Sequence, residues 1–310
     1  MPAQYNVEEP QLSAELINRG FVRKLEQGQI KEAQEVASAF TRTKVRQESF
    51  AREIMPPVEI DETQLDRDER TDQPSKIVEK EPDSTATFVP FRGSGDRRWI
   101  KGERYRIYFG KTESDHFQKS KFELMTYEND IRKMLSDNCV KDMADEEDKY
   151  WVDTTEAIWA LNPTQDIDAT AIGFKTAAFR VLFSSMVGYR SATGKRGLPI
   201  GCMLMTKATY YRALELDNRG LDILTRHYDQ GIEKEDRLYG IKVVTTLKSD
   251  ILTDDHVHAY SPQPFLGHYY LLADATLFIK QEADIFTFWS YAAPGVGFGS
   301  TEGIWRLKFV

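Results

Sequence analysis

The sequence predicts a protein of the α+β class, because helical and strand patterns occupy different stretches of the 310-residue chain. Apolar residues recur at helical spacing over residues 11 to 40, 127 to 150 and 168 to 190. Residues 239 to 310 carry a succession of strand-like runs instead. With 41% hydrophobic and 12% aromatic residues the chain can bury a full core, so we expect one elaborate domain or two ordinary ones.

The N-terminal part changes from a helical to a polar pattern. Residues 11 to 40 predict one or two short amphipathic helices, interrupted at Gly20 and Gly28. Residues 59 to 83 then contain ten acidic and four basic side chains. Such a segment cannot bury itself, so we expect either a disordered linker or an extended arm that is ordered by pairing with something else.

A basic stretch follows the polar segment. Thr85 to Phe91 and Arg104 to Phe109 alternate partially between apolar and polar residues, which predicts two strands joined by a Gly-rich turn. Seven basic and two acidic residues lie between Arg92 and Lys111, whereas the whole chain has a formal net charge of −8. The positive charge is therefore local, and the chain has no general excess of Lys and Arg for non-specific binding of nucleic acid.

Four further elements precede the terminal strands. The helix predicted over residues 127 to 150 has an acidic polar side, and another apolar helix is predicted over residues 168 to 190. A strand over residues 198 to 205 leads through Thr206, which is suited to cap a helix N-terminus, into a helix that should end near Gly220.

Motifs that would carry chemistry are nearly absent. The chain has no phosphate-binding loop and no nucleophile elbow. Gly295, Gly297 and Gly299 have GxGxG spacing, but only eleven residues follow them, so we interpret them as a flexible turn rather than a dinucleotide site. Cys139 and Cys202 are too few for a disulfide framework and lack metal-ligand spacing, which indicates a reducing compartment. We predict no cofactor and no metal.

One cluster has the residue types of a metal site: Asp254, Asp255, His256 and His258. Alternating histidines on a strand point to the same side. Turn signals lie beside the cluster and no third ligand stands at a diagnostic spacing. An exposed polar loop is the favoured interpretation, and a metal or catalytic site is the alternative.

The longest uncharged stretch, residues 285 to 301, is short for a membrane span and contains Pro294 and three glycines. We therefore expect buried strand and loop there, and no membrane partner.

The order of these elements resembles that of the major capsid proteins of tailed bacteriophages, which have the Hong Kong 97-type shell fold. A polar arm, a basic two-stranded excursion and a long acidic-faced helix precede an α+β remainder. Leu198 to Leu216 resembles the family's axial-domain segment, Leu238 to Val244 its following strand, and Leu272-Ala273-Asp274 a later strand with a conspicuous Asp. The resemblance covers most of residues 55 to 310.

The resemblance implies four regions. Residues 1 to 86 would form an N-terminal helical segment and extended arm, and residues 87 to 126 a two-stranded extended loop. Residues 127 to 190 would form a peripheral domain with a spine helix. Residues 191 to 310 would form an axial domain whose strands return to the peripheral domain.

The resemblance also implies a function. The chain would be a structural protein, not an enzyme, that self-assembles into the hexamers and pentamers of an icosahedral phage head enclosing double-stranded DNA. It would be part of the virion after assembly in the host cytoplasm. Its partners would be further copies of itself, with portal, scaffold and decoration proteins as further classes. Packaged DNA would be contacted weakly and non-specifically; the basic candidates for that contact are Arg42, Lys44, Arg46 and Arg52.

The charge pattern suggests where subunits meet. We predict that basic residues of one subunit's extended loop lie across acidic residues of a neighbour's spine helix. The basic residues are Arg97, Arg98, Lys101, Arg104 and Arg106. The acidic residues are Asp142, Asp145, Glu146, Glu147 and Asp148.

Two alternatives stay open. An encapsulin-type nanocompartment has the same fold and encloses cargo enzymes instead of DNA. A small-molecule enzyme would use the cluster of Asp254, Asp255, His256 and His258.

Overall fold

The computed structural model describes residues 14–66, 70–80, 88–89, 91, 103–126, 131–189, 197–215 and 237–309. Its α-helices are α1 (Ala14–Glu26), α2 (Ile30–Glu48), α3 (Phe50–Ile54), α4 (Lys121–Thr126), α5 (Ile131–Leu135), α6 (Lys141–Leu161), α7 (Thr176–Gly188), α8 (Lys207–Glu215) and α9 (Gln263–Leu266). Its strands are β1 (Val58–Glu59), β2 (Ser75–Lys80), β3 (Glu103–Tyr108), β4 (Thr112–Glu113), β5 (Phe117–Ser120), β6 (Asp166–Asp168), β7 (Cys202–Thr206), β8 (Arg237–Leu238), β9 (Ile241–Thr246), β10 (His256–Tyr260), β11 (Gly267–Glu282), β12 (Ile285–Phe298) and β13 (Ile304–Lys308). The predicted α+β class is confirmed.

The chain folds into two compact units. The first unit combines Met1–Glu53, Lys111–Tyr150 and Ala273–Ala293, and the second combines Ile54–Gly110, Trp151–Leu272 and Pro294–Val310. Each unit therefore takes three separate stretches of the chain. The four contiguous regions implied by the resemblance are a different division, and their boundaries stay a prediction.

The N-terminal helices belong to the core of the first unit. Val22 and Leu25 of α1 and Ala37 of α2 are buried in one cluster with Leu277 and Phe288 of the sheet. Complete burial of one Leu or Phe side chain contributes about 1.5–3 kcal/mol to stability. The apolar stripe that predicts these helices thus covers one face of strands β11 and β12.

A glycine separates α1 from α2. Gly28 lies between the two helices with φ +77°, a conformation that side-chain-bearing residues rarely adopt. The predicted interruption at Gly28 is confirmed. The predicted interruption at Gly20 is wrong, because Gly20 lies inside α1, where a single glycine is tolerated at a cost of about 1 kcal/mol.

The acidic helix is longer than predicted. One helical rod runs from Ile131 to Leu161 and contains a π-helical turn, Ser136–Val140. The predicted end at residue 150 is wrong, because buried residues continue at four-residue spacing with Trp151, Thr155 and Trp159. Residues 127 to 130, where the helix was predicted to begin, lie outside the described residues.

One sheet has five strands and contains the two long strands β11 and β12. Their order is β1-β11-β12-β4, and β5 also pairs with β12. The strand pattern predicted for this part of the chain includes one long strand, β11, which runs unbroken from Gly267 to Glu282. A polar residue within this strand, Asp274, is only 6% exposed, because Arg52 donates a hydrogen bond to its carboxylate.

A six-stranded sheet forms the centre of the second unit, in the order β6-β13-β10-β7-β9-β8. Helix α7 packs on it through Phe179 and Leu182, which share a buried cluster with Met203 and Trp305. The predicted cap at Thr206 is confirmed, since its Oγ1 accepts a hydrogen bond from the backbone N–H of Thr209 at 3.4 Å. The predicted end of that helix near Gly220 lies outside the described residues.

The basic excursion has a different partner strand from the one predicted. Strand β3 pairs antiparallel with β2, in a register that sets Ser75 opposite Tyr108 and Lys80 opposite Glu103. The partner strand comes from the part of the polar arm at 75 to 80. Of the strand predicted over residues 85 to 91, the described residues 88, 89 and 91 are not in a strand, and residues 85 to 87 and 90 lie outside the described residues. We call β2 and β3 the ribbon.

Two of the three glycines near the C-terminus lie in a strand, not in a flexible turn, whereas Gly299 follows that strand in a bend. Gly295 and Gly297 belong to β12, and β3 side chains lie directly over them. A Cβ added at Gly297 would stand 2.3 Å from Cγ1 of Ile107, and one at Gly295 would stand 2.8 Å from the ring of Phe109. The glycines are needed there because any side chain would occupy the space of the ribbon's apolar residues.

Candidate assembly interface

The five acidic residues predicted on α6 divide into two groups. Asp142 and Glu146 are exposed and Asp145 is half-buried. Glu147 is 2% exposed and Asp148 is fully buried. The division follows from the helical repeat, because residues 147 and 148 lie on the inward side of α6, whereas residues 142, 145 and 146 lie towards its outer side.

Glu147 binds an arginine of the N-terminal segment. Arg52 donates from Nε to Oε2 of Glu147 at 2.7 Å and from Nη2 to Oε1 at 2.6 Å. Its Nη1 also donates to Oδ1 of Asp274 at 3.0 Å. The side chains of Arg52, Glu147 and Asp274 are 1%, 0% and 3% exposed. This buried ion cluster joins α3, α6 and β11, and we call it the Arg52 cluster.

Asp148 holds the first turn of α3. Its Oδ1 accepts hydrogen bonds from the hydroxyl of Ser49 at 2.8 Å and from the backbone N–H of Ala51 at 3.0 Å. Its Oδ2 accepts one from the N–H of Phe50 at 3.3 Å. The carboxylate thus satisfies backbone donors that have no partner within the helix.

The predicted contact of Glu147 and Asp148 with a neighbouring subunit does not fit this geometry. Both carboxylates are buried and bind residues 49 to 52 of their own chain. The proposed DNA contact of Arg52 fails for the same reason, since its guanidinium points inward. Only Asp142, Asp145 and Glu146 keep a position from which a second subunit can be reached.

Asp142 lies close to two other carboxylates. Burial raises the pKa of Asp142, and the nearby carboxylates of Asp115 and Asp145 raise it further, while Lys141 lowers it. Like charges disfavour one another's ionisation, so a cation supplied from outside would be stabilising here. This is the electrostatic condition that the predicted contact requires.

Two of the five predicted basic residues lie within the described residues, both on β3. Arg104 and Arg106 are exposed. Arg104 donates from Nε to Oε1 of Glu79 across the ribbon at 2.7 Å, and both side chains are about two-thirds exposed, so this pair is of little energetic weight. Arg97, Arg98 and Lys101 lie outside the described residues.

Tyr105 anchors β3 within the second unit. Its hydroxyl lies 2.8 Å from Nδ1 of His268, and it donates to that nitrogen in the tautomer whose proton is on Nε2. Burial raises the pKa of Tyr105 to about 12, with a further contribution from Tyr270, and burial lowers the pKa of His268. Both shifts favour the neutral pair that forms this hydrogen bond.

The four residues of the Asp254, Asp255, His256 and His258 cluster make different contacts. Asp254 accepts a hydrogen bond from Thr206, and Asp255 forms an ion pair with Arg212. His256 and His258 lie on β10, and burial lowers the pKa of both, most strongly for the fully buried His258. The favoured interpretation of an exposed loop is thus wrong for His258, whose ring packs edge-on against Trp159.

Within the described parts of the chain, no group of three His, Cys, Asp or Glu residues is placed to hold a metal ion. In the same residues, no helix is long and apolar enough to cross a membrane.

The architecture is the Hong Kong 97-type shell fold, which confirms the predicted fold class. A virus-like particle protein from Pyrococcus furiosus matches with a TM-score of 0.57 at 13% identity, over 89% of this chain and 100% of that chain. A structure from Mycobacterium phage Bobi matches with a TM-score of 0.56 at 9% identity, over 84% and 90% of the two chains. The capsid of an empty GTA particle matches with a TM-score of 0.51 at 11% identity, over 84% and 89%. No protein-family model and no curated protein matches the sequence.

Sequence reasoning missed the Arg52 cluster. The ion pair joins residues 95 positions apart, so no local pattern indicates it. Asp274 was singled out only through the family resemblance. The one usable signal for Glu147 is its phase on the helix, which places it beside the buried Met143 and Trp151.

Proposed function

We propose that this protein is the major capsid protein of a tailed phage and that it self-assembles into the hexamers and pentamers of an icosahedral head around double-stranded DNA. The observation that carries the proposal is the shared fold, since each of the three matched structures is described as a virus-like particle, a phage or a capsid. In this role the protein works by binding copies of itself in the virion, and it catalyses no reaction.

The ribbon supports self-assembly. Within the described residues the ribbon packs on β12 through Ile107, and its opposite side carries the exposed side chains of Arg104 and Arg106. Between β2 and β3 in the sequence, Phe88 and Phe91 are fully exposed. Exposed aromatic side chains are stabilised when a second subunit covers them.

The contact we propose joins the basic loop of one subunit to the outer side of α6 in a neighbour. Arg97, Arg98, Lys101, Arg104 and Arg106 supply the positive charge, and Asp142, Asp145 and Glu146 supply the negative charge. Each exposed pair contributes roughly 0–1 kcal/mol, so the effect depends on repetition over many subunits and weakens with salt.

Electron microscopy of the purified protein tests the function. The capsid proposal expects closed shells tens of nanometres wide, with hexameric and pentameric units. A small discrete oligomer under all assembly conditions would contradict it and would favour the enzyme alternative. Shells from infected or expressing cells that contain protein cargo and no DNA would favour the encapsulin-type alternative.

Charge reversal tests the contact. Arg97→Glu/Arg98→Glu/Arg104→Glu should weaken assembly most at low salt, and combination with Asp145→Lys/Glu146→Lys should restore part of it. The control is Lys207→Glu, an exposed cation on the second unit. Assembly that is unchanged by the triple reversal at every salt concentration would eliminate the contact and leave the capsid function untouched.

Portal, scaffold and decoration proteins are further partner classes under this proposal, with assembly in the host cytoplasm. A net charge of −8 suits a container, because a negative lining does not retain a packaged polyanion.

A further inference from the structure

The two faces of the six-stranded sheet differ in what they bury. Side chains alternate along a strand, and Val257 and Ala259 of β10 lie in the apolar cluster with α7. His258 and Tyr260 of the same strand therefore lie on the opposite face, against residues 151 to 161 of α6. There the ring of His258 packs edge-on against Trp159, with the ring centroids 4.7 Å apart. One titratable ring thus lies inside the contact between this part of α6 and the sheet.

His258 is buried with one ring nitrogen unsatisfied. It is 1% exposed, and its Nδ1 lies 3.4 Å from the hydroxyl of Tyr260, which also accepts a hydrogen bond from Nε1 of Trp151 at 3.2 Å. In the part of the chain that the structure describes, Nε2 of His258 has no hydrogen-bond partner. A protonated imidazole carries a proton on both nitrogens. The charged ring would therefore bury an N–H group without an acceptor, which is costly.

A cation faces His258 from the neighbouring strand. Arg306 of β13 pairs directly opposite His258, so both side chains lie on the same face of the sheet. Its guanidinium carbon lies 4.4 Å from the centroid of the Trp159 ring, the ring against which His258 packs. A charged His258 would meet a like charge across the strand pair, which is destabilising.

The carboxylates on this face already bind cations. Asp166 of β6 accepts hydrogen bonds from Nε and Nη2 of Arg306 at 2.9 and 2.8 Å, and it also binds Lys308. Glu156 of α6 is 54% exposed and lies 3.5 Å from Arg306. Further titratable groups on this face are His256, Tyr260 and Cys202, which pairs opposite Tyr260 on β7.

These surroundings favour the neutral form of the ring. Burial lowers the pKa of His258 well below its ordinary value of 6.5, the charges of His256 and Arg306 lower it further, and Asp166 raises it. Burial raises the pKa of Tyr260, so this neighbour supplies no negative charge. The packed state thus excludes a proton that the same ring would bind in water.

We propose that His258 is an acid-sensitive latch: its neutral ring holds residues 151 to 161 of α6 on the sheet, and protonation of the ring releases them. In the released state water can bind both ring nitrogens. Because only the released state takes up the proton, each pH unit below 6.5 should favour release by up to about tenfold. The proposal does not depend on whether the protein forms shells.

Hydrogen exchange of the wild-type chain tests the release. Exchange rates of the Thr155 and Ile158 amides, divided by the intrinsic rates at each pH, give the opening equilibrium of this part of α6. Between pH 7.5 and pH 5.0 this equilibrium should shift towards opening by roughly 30-fold, the value for one proton bound with a pKa of 6.5 in the released state. The Leu182 amide of α7, on the other face of the sheet, is the internal control and should change little. All samples are compared in one assembly state.

Two histidine variants assign the effect. His258→Gln removes the titrating group and should abolish the acid acceleration at Thr155 and Ile158. The matched control is His256→Gln, a change at a half-buried histidine of the same strand and face, which should keep most of the acceleration. If His258→Gln does not fold, His258→Phe keeps a ring against Trp159 and is measured in the same way.

Three results would contradict the proposal. Exchange at Thr155 and Ile158 that does not accelerate in acid would overturn the latch. Equal acceleration at Leu182 would show that the sheet opens on both faces and would overturn a local release. Acceleration that persists in His258→Gln, or that is lost equally in His256→Gln, would overturn the assignment to His258.

Discussion

Replacing Arg52 with Met should destabilise the protein by about 3–5 kcal/mol, because it removes one partner of a buried ion cluster. The magnitude follows from the geometry: three hydrogen bonds at 2.6, 2.7 and 3.0 Å end on two carboxylates that are 0% and 3% exposed. Without the guanidinium, Glu147 and Asp274 keep their desolvation cost and lose this cation.

Arg46→Met is the matched control. Arg46 donates to the same Asp274 at 3.0 Å, but its side chain is 53% exposed. Water screens this pair, so its loss should cost at most about 1 kcal/mol. The double variant Arg52→Met/Glu147→Met should recover part of the loss, because it replaces an uncompensated charge with an apolar side chain.

The assay is urea-induced unfolding followed by far-UV circular dichroism. The unfolding free energies extrapolated to zero urea are compared among the variants. Equal costs for Arg52→Met and Arg46→Met, or a cost below about 1 kcal/mol for Arg52→Met, would refute the reasoning that burial sets the value.

Three further predictions concern the second unit. Gly297→Ala should cost about 1–3 kcal/mol by thermal unfolding, because its Cβ would stand 2.3 Å from a β3 side chain, whereas Gly110→Ala, with nothing within 4 Å, should be near neutral. The wild-type chain should lose stability as the pH falls below 6.5, the ordinary pKa of His, because burial lowers the pKa of His268 and the native state then binds fewer protons than the unfolded chain. His268→Phe should lose less stability over the same pH range. An unchanged dependence of the unfolding free energy on pH would exclude His268 as a contributor. Thr206→Val should cost about 1–2 kcal/mol, because it removes both the helix cap and the hydrogen bond that Thr206 donates to Asp254, and no change in thermal stability would show that both bonds are without weight.

Periodicity predicted the elements whose apolar faces lie in a core. The helices at residues 30 to 48 and 176 to 188 and the strands of the C-terminal third carry their own burial pattern, so local sequence indicates them. The order of elements then allowed the fold to be recognised before any geometry was known.

The errors arose where a distant residue decides the outcome. For Ser75–Lys80 the sequence left a disordered linker and an arm ordered by pairing as alternatives, and β3, which lies beside it, decides for the paired arm. Glu147 and Asp148 have the composition of an exposed acidic helix and lie inward because residues 49 to 52 bind them. A run of charged residues in the sequence does not determine which of its side chains are buried or which residues they bind. Only part of the candidate interface could therefore be predicted.

Three glycines in and just after β12 lie against three apolar residues in and just after β3, so the substitutions tolerated in one segment depend on the residues present in the other. Gly295 lies under Phe109, Gly297 under Ile107, and Gly299 under the ring of Tyr105, so the two series advance in opposite directions two residues at a time. A larger side chain at one of these positions therefore requires a smaller side chain at the residue packed against it. Related sequences should therefore show paired changes at these positions, a bulkier residue in one series accompanied by a smaller one in the other.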